Sequence, residues 1–308
     1  MSTNQGGITE TTRENGLTSS SSDGAASYFE WFVVAIGVVG TAANGVVLYA
    51  LVASKQHKKH ELIVNQNALD LYSSLLLVVI YGLKLSNIDL SGSLGYWLCM
   101  FLYNESLLYS GVRASWVNLM FIFIERYLKV VHSVWSKKKL RKWMTYVAIA
   151  CTWISGLIQE MVVVFKGSAV IGGVCYTFIM LKNPKSRMAI ALYYILSTYV
   201  IVLLISVFCY GKILMVIRRQ ARVMASHNAG GSNTAQARSD KIQTNVVKTM
   251  ILVCVFYAIP WLPEKTFVVI SSLDISVTFV NIGFYVAVFL GFLYICTDLT
   301  VIATERCV

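Results

Sequence analysis

Seven separate stretches of this chain are apolar enough and long enough to cross a lipid bilayer as helices. About 20 residues of helix span the roughly 30 Å hydrocarbon layer, where lipid offers no hydrogen-bond partner to backbone groups. The sequence therefore predicts an all-α membrane protein, a bundle of seven transmembrane helices. The predicted spans are residues 29–54, 62–84, 97–124, 143–165, 188–213, 245–270 and 275–303.

Composition also indicates that lipid is the solvent for most of this chain. Hydrophobic residues make up 56% and charged residues 13%, with a mean hydropathy of +0.64. This leaves too little polar surface for a water-soluble globule. The net charge of +11 could suggest a nucleic-acid partner, but the basic residues fall in short clusters between apolar stretches. Such clusters are typical of loops that face anionic lipid, so we expect the bilayer and no nucleic acid as a partner.

The distribution of Lys and Arg predicts the orientation of the chain. Of the 26 Lys and Arg residues, 18 lie on the side that holds the carboxyl terminus and the connections after the first, third and fifth stretches, 7 lie on the opposite side, and Arg113 lies inside the membrane. The positive-inside rule then places the amino terminus outside the cell. Residues 1–28 are predicted to be a disordered extracellular tail, residues 29–304 the membrane domain and residues 305–308 a short cytoplasmic tail. Residues 226–240, without an apolar period, are predicted to form a flexible cytoplasmic loop.

A series of motifs along the chain resembles one receptor family. The third stretch ends in Glu125-Arg126-Tyr127, which resembles the acidic-Arg-Tyr signature of rhodopsin-like (class A) G-protein-coupled receptors. Alone, this motif could be a charge pair snorkelling at the membrane edge. Further matches in the family's order make the resemblance specific over about residues 31–304: Asn44, Asp70 within residues 67–71, Trp153, Tyr210, and Trp261 within residues 256–263.

The resemblance implies a receptor of the plasma membrane that couples to a heterotrimeric G protein. The family's arginine pairs with the adjacent carboxylate at rest and becomes available to a cytoplasmic partner when the helices part. The resemblance assigns this role to Arg126 with Glu125. The assisting residues that it implies are Tyr127, Tyr210, Trp261 and Pro263.

The same resemblance implies a disulfide between Cys99 and Cys175, with two unpaired thiols as the alternative. Cys99 lies two residues further from Arg126 than the family spacing, so the third helix is expected either to start later or to carry a bulge. In the fifth helix, Val202 stands where the family has a proline. Residues 298–302, DLTVI, replace the Asn/Asp-Pro-x-x-Tyr motif of the seventh. A non-signalling or decoy receptor therefore remains an alternative.

Asp70 is an ionisable residue inside a predicted membrane helix, which by default indicates function. In the family, the corresponding acid holds a sodium ion together with a serine and a residue of the seventh helix. The counterparts here are Ser115 and Asp298. Two carboxylates close together in a low dielectric do not both stay ionised without a cation, so the pair is expected to clamp sodium or share a proton. A hydrogen-bonded polar plug is the alternative, and no other cofactor is predicted.

The candidate ligand pocket combines both signs of charge. No lysine follows Lys265, which argues against a retinal-linked photoreceptor, and Leu108 or Ser106 stands where amine receptors carry an aspartate. Glu105, Glu264 and Lys265 suit a small peptide, which offers both an amine and a carboxylate. Salt bridges such as Glu105 to Lys265 are the alternative, and only one of Glu264 and Lys265 need face the bundle centre. The predicted pocket residues are Glu105, Ser106, Leu108, Trp261, Glu264 and Lys265.

Two further charges lie at membrane depth on neighbouring helices. Arg113 and Glu160 are interpreted as a structural ion pair rather than a site. No catalytic arrangement is apparent, because all four histidines fall in predicted cytoplasmic segments, so enzymatic activity is not predicted. A small-solute transporter is a weaker alternative, since the sequence has neither internal repeats nor paired broken helices.

Overall fold

The computed structural model describes residues 8–55, 57, 60–86, 88, 90–167, 169–176, 184–227, 255, 257–270, 272–273 and 282–304. It describes only the backbone for residues 8–26, for residues 296–304 and at a few other positions near the ends of helices and strands.

Ten α-helical segments occur within the described residues. They are α1 Ile8–Ala53, α2 Glu61–Leu85, α3 Gly92–Leu98, α4 Ser106–Val131, α5 Ser133–Lys139, α6 Lys142–Gly167, α7 Pro184–Tyr194, α8 Ile201–His227, α9 at residues 257–270, and α10 Ile282–Thr304.

Short π-helical segments join α3 to α4 and α7 to α8, so the described chain forms seven long helical units and the short helix α5. In the described part of the chain, four stretches are long and apolar enough to cross a membrane: Ser27–Ala53, Glu61–Leu85, Gly92–Val131 and Lys185–Gln220. These four stretches coincide with the first, second, third and fifth predicted spans. The side of the membrane that each end of the bundle faces stays a prediction.

The first helix begins earlier than predicted. Helix α1 extends back to Ile8, through residues that we predict to be disordered. Propagation of an existing helix adds one hydrogen bond for each residue fixed, and no proline interrupts this stretch. The apolar span that begins near Ser27 therefore serves as a nucleus for a polar extension.

The third helix carries a bulge, which is one of the two alternatives that the spacing of Cys99 leaves open. A π-helical segment occupies Cys99–Tyr103, and Glu105 follows with a left-handed φ of 57°. A π-turn holds more residues per turn than an α-turn, so the two extra residues are accommodated before α4 begins. The hydroxyl of Ser106 donates to the carbonyls of Met100 at 2.7 Å and Phe101 at 3.1 Å. This hydroxyl satisfies acceptors that the irregular turn leaves open.

The fifth helix is also irregular although it lacks proline. The π-helical segment Ile195–Val200 separates α7 from α8 and ends two residues before Val202. A π-segment shifts the hydrogen-bond register, which leaves backbone carbonyls open to other donors. This segment faces α9, where Pro260 and Pro263 remove two backbone donors.

A small hairpin precedes the fifth helix. Strands β1 Ala169–Ile171 and β2 Val174–Tyr176 pair antiparallel, with Val170 opposite Cys175. The turn between them is Gly172-Gly173, with φ of 60° and 80°. Two consecutive positive φ values define the type I′ hairpin turn, which glycine adopts without steric cost.

The core of the bundle is aromatic. Trp116 of α4 lies edge-on to Trp261 and Tyr257 of α9, with ring centroids 5.0 Å and 5.8 Å away. Helix α10 approaches this cluster closely at Gly291, where a Cβ atom would lie 2.9 Å from the Trp261 ring. The cluster therefore joins the third, sixth and seventh long helical units around one point.

Candidate functional site

A disulfide ties the hairpin to the start of the third helical unit. Cys99 and Cys175 are bonded, with Cα atoms 5.4 Å apart, which confirms the predicted pairing. The amide of Leu90 also donates to the carbonyl of Gly173 at 3.3 Å. The hairpin is therefore anchored on both sides of α3, by the hydrogen bond at Leu90 before it and by the disulfide at Cys99 after it. We call this end of the bundle the disulfide end.

Glu105 binds groups of the second helix. Its carboxylate forms an ion pair with Lys84 and accepts a hydrogen bond from the Tyr81 hydroxyl at 2.9 Å. The Lys84 ammonium lies 4.4 Å from the Tyr81 ring centroid. The suggested salt bridge from Glu105 to Lys265 is therefore wrong. Because the left-handed backbone at Glu105 interrupts the helix, its side chain reaches the nearby end of α2 instead.

Glu264 and Lys265 are both buried, with exposed fractions of 8% and 6%. Their charged atoms lie 2.7 Å apart, and the Lys265 ammonium lies 4.9 Å from the Trp116 ring centroid and 5.5 Å from that of Trp261. The sequence predicts that only one of Glu264 and Lys265 need face the bundle centre, but both side chains are buried and form an ion pair. Long side chains that start about 100° apart can still converge, and pairing lowers the cost of burying each charge.

Arg113 and Glu160 form a second buried ion pair, between α4 and α6, which confirms the predicted pair. The Arg113 guanidinium also lies 3.8 Å from the Tyr194 ring centroid. Both residues interact electrostatically with Glu264 or Lys265. We call Arg113, Glu160, Glu264 and Lys265 the buried charge cluster. It contains two positive and two negative groups, so opposite charges are matched in number.

The predicted pocket residues fall into two groups. Trp261, Glu264 and Lys265 lie together beside the core aromatic rings, whereas Glu105 and Ser106 belong to the bulge of the third helix. Tyr109 of α4 interacts electrostatically with one member of each group, Glu105 and Glu264. The remaining predicted residue, Leu108, is fully buried.

A network of buried polar side chains joins the second, third and fourth long helical units. Asn118 of α4 donates to Gln66 Oε1 and to the carbonyl of Leu62, both at 2.9 Å. Asn65 donates to Asn118 Oδ1 at 2.9 Å and accepts from the Trp153 indole at 3.0 Å. The sequence analysis missed Asn65, Gln66 and Asn118. Their position as uncharged polar residues inside predicted membrane spans is a signal that could have found them.

Asp70 belongs to this network. Ser115 donates to Asp70 Oδ1 at 3.3 Å, so two members of the predicted sodium site lie together. Gln66 also donates to Asp70 Oδ1 at 3.4 Å and forms a hydrogen bond to Ser115 Oγ. The side chain of the third predicted member, Asp298, lies outside the described residues.

Glu125 does not hold Arg126 in this structure. Its carboxylate pairs with Lys129 at 2.6 Å, and among the described residues no carboxylate forms an ion pair with Arg126. The expected resting pair is therefore absent here. Residues four apart lie on the same helix face, whereas adjacent residues point about 100° apart, which favours Lys129 as the partner.

Aromatic rings surround this end of the third helix. Tyr210 is buried with its ring centroid 5.3 Å from that of Phe123. Tyr127 lies 5.9 Å from the Phe208 ring, and its hydroxyl lies 3.2 Å from His132 Nε2. The predicted switch residues Tyr127 and Tyr210 therefore pack between α4 and α8. We call this end of the bundle the Arg126 end.

A polar groove of about 450 Å³ also lies at the Arg126 end. It runs along α5 and the start of α6, where the sequence predicts a basic run facing lipid. The ionisable residues that line it are Glu61, Glu125, Lys129, Lys137, Arg141 and Lys142.

Two tyrosines hold α9 against the irregular segment of the fifth helix. Tyr257 of α9 donates to the carbonyl of Thr198, inside the π-segment. Tyr199 of that segment donates in return to the carbonyl of Ala258 at 2.9 Å. We call these two reciprocal bonds the tyrosine clasp. Tyr257 lies one turn of α9 before Trp261 and six residues before Pro263. Sequence reasoning did not find this clasp.

These helices, the disulfide and the buried polar groups define an integral membrane protein built as a seven-helix bundle. Residues 43–298 match the family described as 7 transmembrane receptor (rhodopsin family). The chain therefore belongs to the rhodopsin family of seven-transmembrane receptors, whose members are signalling receptors rather than enzymes. A search among curated proteins gave no significant match.

Proposed function

We propose that this receptor lies in the plasma membrane with its amino terminus outside the cell. It binds an extracellular ligand at the disulfide end and activates a heterotrimeric G protein at the Arg126 end. The ligand that suits the site best is a small peptide. The observation that carries this proposal is the buried charge cluster, because it places paired opposite charges beside the aromatic core.

Charge pairing in the cluster supports a ligand that carries both signs of charge. A ligand with one charge would compete for one member of the Glu264–Lys265 pair and leave the other buried without a partner. A peptide with a free amine and a carboxylate can replace both partners at once. The aromatic faces of Trp116 and Trp261 next to Lys265 add apolar area for a side chain of such a peptide.

Contacts that lead from the cluster along α9 to the tyrosine clasp support a two-state switch. Lys265 touches Trp261, and the tyrosine clasp lies one turn further along α9. The clasp consists of two hydroxyl-to-carbonyl bonds, one at the π-segment and one two residues before Pro260, and both can break while the helices keep their own backbone bonds. A ligand that shifts α9 would stabilise a packing in which the helices beside Arg126 are parted.

The test uses cells that express the receptor, a library of small peptides and nucleotide exchange on a co-expressed G protein. We expect a peptide that raises exchange, and we expect Arg126→Ala to abolish the rise at unchanged surface level. Lys138→Ala is the control, because it removes an exposed cation from the same end of the bundle and should retain most of the response.

Binding of a peptide at the surface without nucleotide exchange would contradict the coupling proposal and favour a decoy receptor. Retention of exchange in Arg126→Ala would contradict the role given to that residue. Activity only with ligands that carry a single charge would contradict the peptide proposal, and leave the family assignment unaffected.

A further inference from the structure

The amide of Gln66 contacts Asp70 and Ser115, two of the groups that the family resemblance assigns to a sodium ion. Gln66 Nε2 donates to Asp70 Oδ1 at 3.4 Å and forms a second hydrogen bond to Ser115 Oγ. Ser115 itself donates to the same Asp70 oxygen at 3.3 Å. All three side chains are buried, with exposed fractions of 0% for Gln66, 3% for Asp70 and 5% for Ser115.

The surrounding network fixes which way this amide points. Asn118 Nδ2 donates to Gln66 Oε1 at 2.9 Å. If the amide were flipped, its NH₂ group would face the NH₂ group of Asn118 and its oxygen would face the Asp70 carboxylate. Both contacts would be repulsive. The hydrogens of Gln66 therefore point towards Asp70 and Ser115.

This arrangement does not fit a sodium ion. Hard cations take oxygen ligands at short distance, whereas an amide NH₂ group presents two hydrogens and has no ligating lone pair. Gln66 Nε2 also occupies the position beside the hydrogen-bonded Asp70 and Ser115 oxygens from which a cation would contact both of them. We propose that Gln66 is a built-in substitute for the cation, so that the state of this receptor does not respond to sodium through Asp70.

A built-in donor has a physical consequence for the link between α2 and α4. A buried carboxylate is costly unless hydrogen bonds compensate the lost water. Gln66 and Ser115 supply such bonds from within the protein, and Gln66 is tied to Asn118 on α4. The link between the two helices therefore stays intact whatever the ionic composition of the medium.

The experiment measures the thermal unfolding of the purified full-length receptor in sodium chloride and in equimolar N-methyl-D-glucamine chloride. We expect the same Tm in both salts for the wild type. Gln66→Leu removes the amide and shortens the side chain, which opens the site to the ion. We expect this variant to gain a sodium-dependent rise in Tm of roughly 2–4 °C, and Gln66→Leu with Asp70→Asn to lose it.

Asn65→Leu is the matched control, since it removes a buried amide one residue away that contacts Asn118 and Trp153. It should not respond to sodium. Where Gln66→Leu does not fold, Gln66→Ala provides the same comparison. A sodium-dependent Tm in the wild type that Asp70→Asn removes would overturn the proposal, and so would folded Gln66 variants that ignore sodium. The measurement needs neither a ligand nor a G protein, so its outcome is independent of the proposed function.

Discussion

The two sides of the bundle are held together in different ways. On one side, α2, α4 and α6 are joined by side-chain hydrogen bonds among Asn65, Gln66, Asn118 and Trp153, and these residues lie in regular helix. On the other side, α9 meets the fifth helix through the tyrosine clasp, in which both acceptors are backbone carbonyls, one within the π-segment and one two residues before Pro260. The first set of hydrogen bonds joins side chains to one another. The second set joins side chains to backbone carbonyls, so it depends on the backbone conformation of the partner helix.

This difference indicates which side moves. Amide side chains that each make several bonds must lose all of them together before α2 and α4 separate. The clasp contains two bonds, and a carbonyl at a π-segment or beside a proline can exchange one donor for another. We therefore expect the α2, α4 and α6 side to act as a fixed frame and α9 to act as the mobile element.

The largest effect is expected from breaking the ion pair of the fixed frame. Glu160→Gln leaves Arg113 buried without its carboxylate partner, with an exposed fraction of 5% for Arg113. Removal of one partner of a buried pair costs about 3–5 kcal/mol, because the remaining charge stays desolvated. Folded yield and Tm of the detergent-solubilised receptor should both fall sharply.

The double variant Arg113→Gln with Glu160→Gln serves as the control for this prediction. It removes both charges, so its loss of stability should be smaller than that of Glu160→Gln alone. A double variant that is less stable than the single variant would show that the pair contributes net stability, and would contradict the desolvation argument.

An intermediate effect is expected from the centre of the amide network. Asn118→Ala removes two donated hydrogen bonds and one accepted bond, and leaves Gln66 Oε1 without this donor. The free energy of unfolding should fall by about 1–3 kcal/mol. Asn67→Ala is a matched control, since Asn67 is equally buried but, within the described part of the chain, donates only to the carbonyl of Ile63 in its own helix. Its loss should be about 1 kcal/mol or less, and equal losses would contradict the network's role.

The sequence alone predicts the fixed frame better than the mobile side. Apolar stretches of the right length predict the helices because backbone groups in lipid must be satisfied within one segment. The ion pair of Arg113 with Glu160 is predictable too, because two opposite charges at similar depth have few other partners. Spacing likewise leaves the bulge after Cys99 as one of two alternatives, since two extra residues need either an irregular turn or a later start of the helix.

The partners of individual charges depend on geometry that no motif records. The left-handed backbone at Glu105 directs its carboxylate to Lys84. The helical repeat brings Lys129, rather than Arg126, next to the carboxylate of Glu125. The clasp is harder still to predict. It requires the π-segment, which no proline marks, and two tyrosines that face each other's helix, Tyr199 within the segment and Tyr257 on α9.

The smallest effect on stability, with a visible effect on signalling, is expected from the clasp. Tyr199→Phe removes the hydrogen bond to the Ala258 carbonyl and keeps the ring. The free energy of unfolding should fall by about 0.5–1.5 kcal/mol. If α9 is the mobile element, the same loss favours the parted packing, and basal nucleotide exchange on a co-expressed G protein should rise by up to roughly fivefold.

Tyr257→Phe should act in the same direction, because it removes the reciprocal bond to the Thr198 carbonyl. The two bonds join the same pair of segments, so the double variant should lose less than the sum of the two single losses. Tyr193→Phe is the control, since Tyr193 lies on an exposed face of α7 just before the clasp. Strictly additive losses, or equal basal exchange in all the variants, would mean that the clasp does not restrain α9 and that the mobile element lies elsewhere.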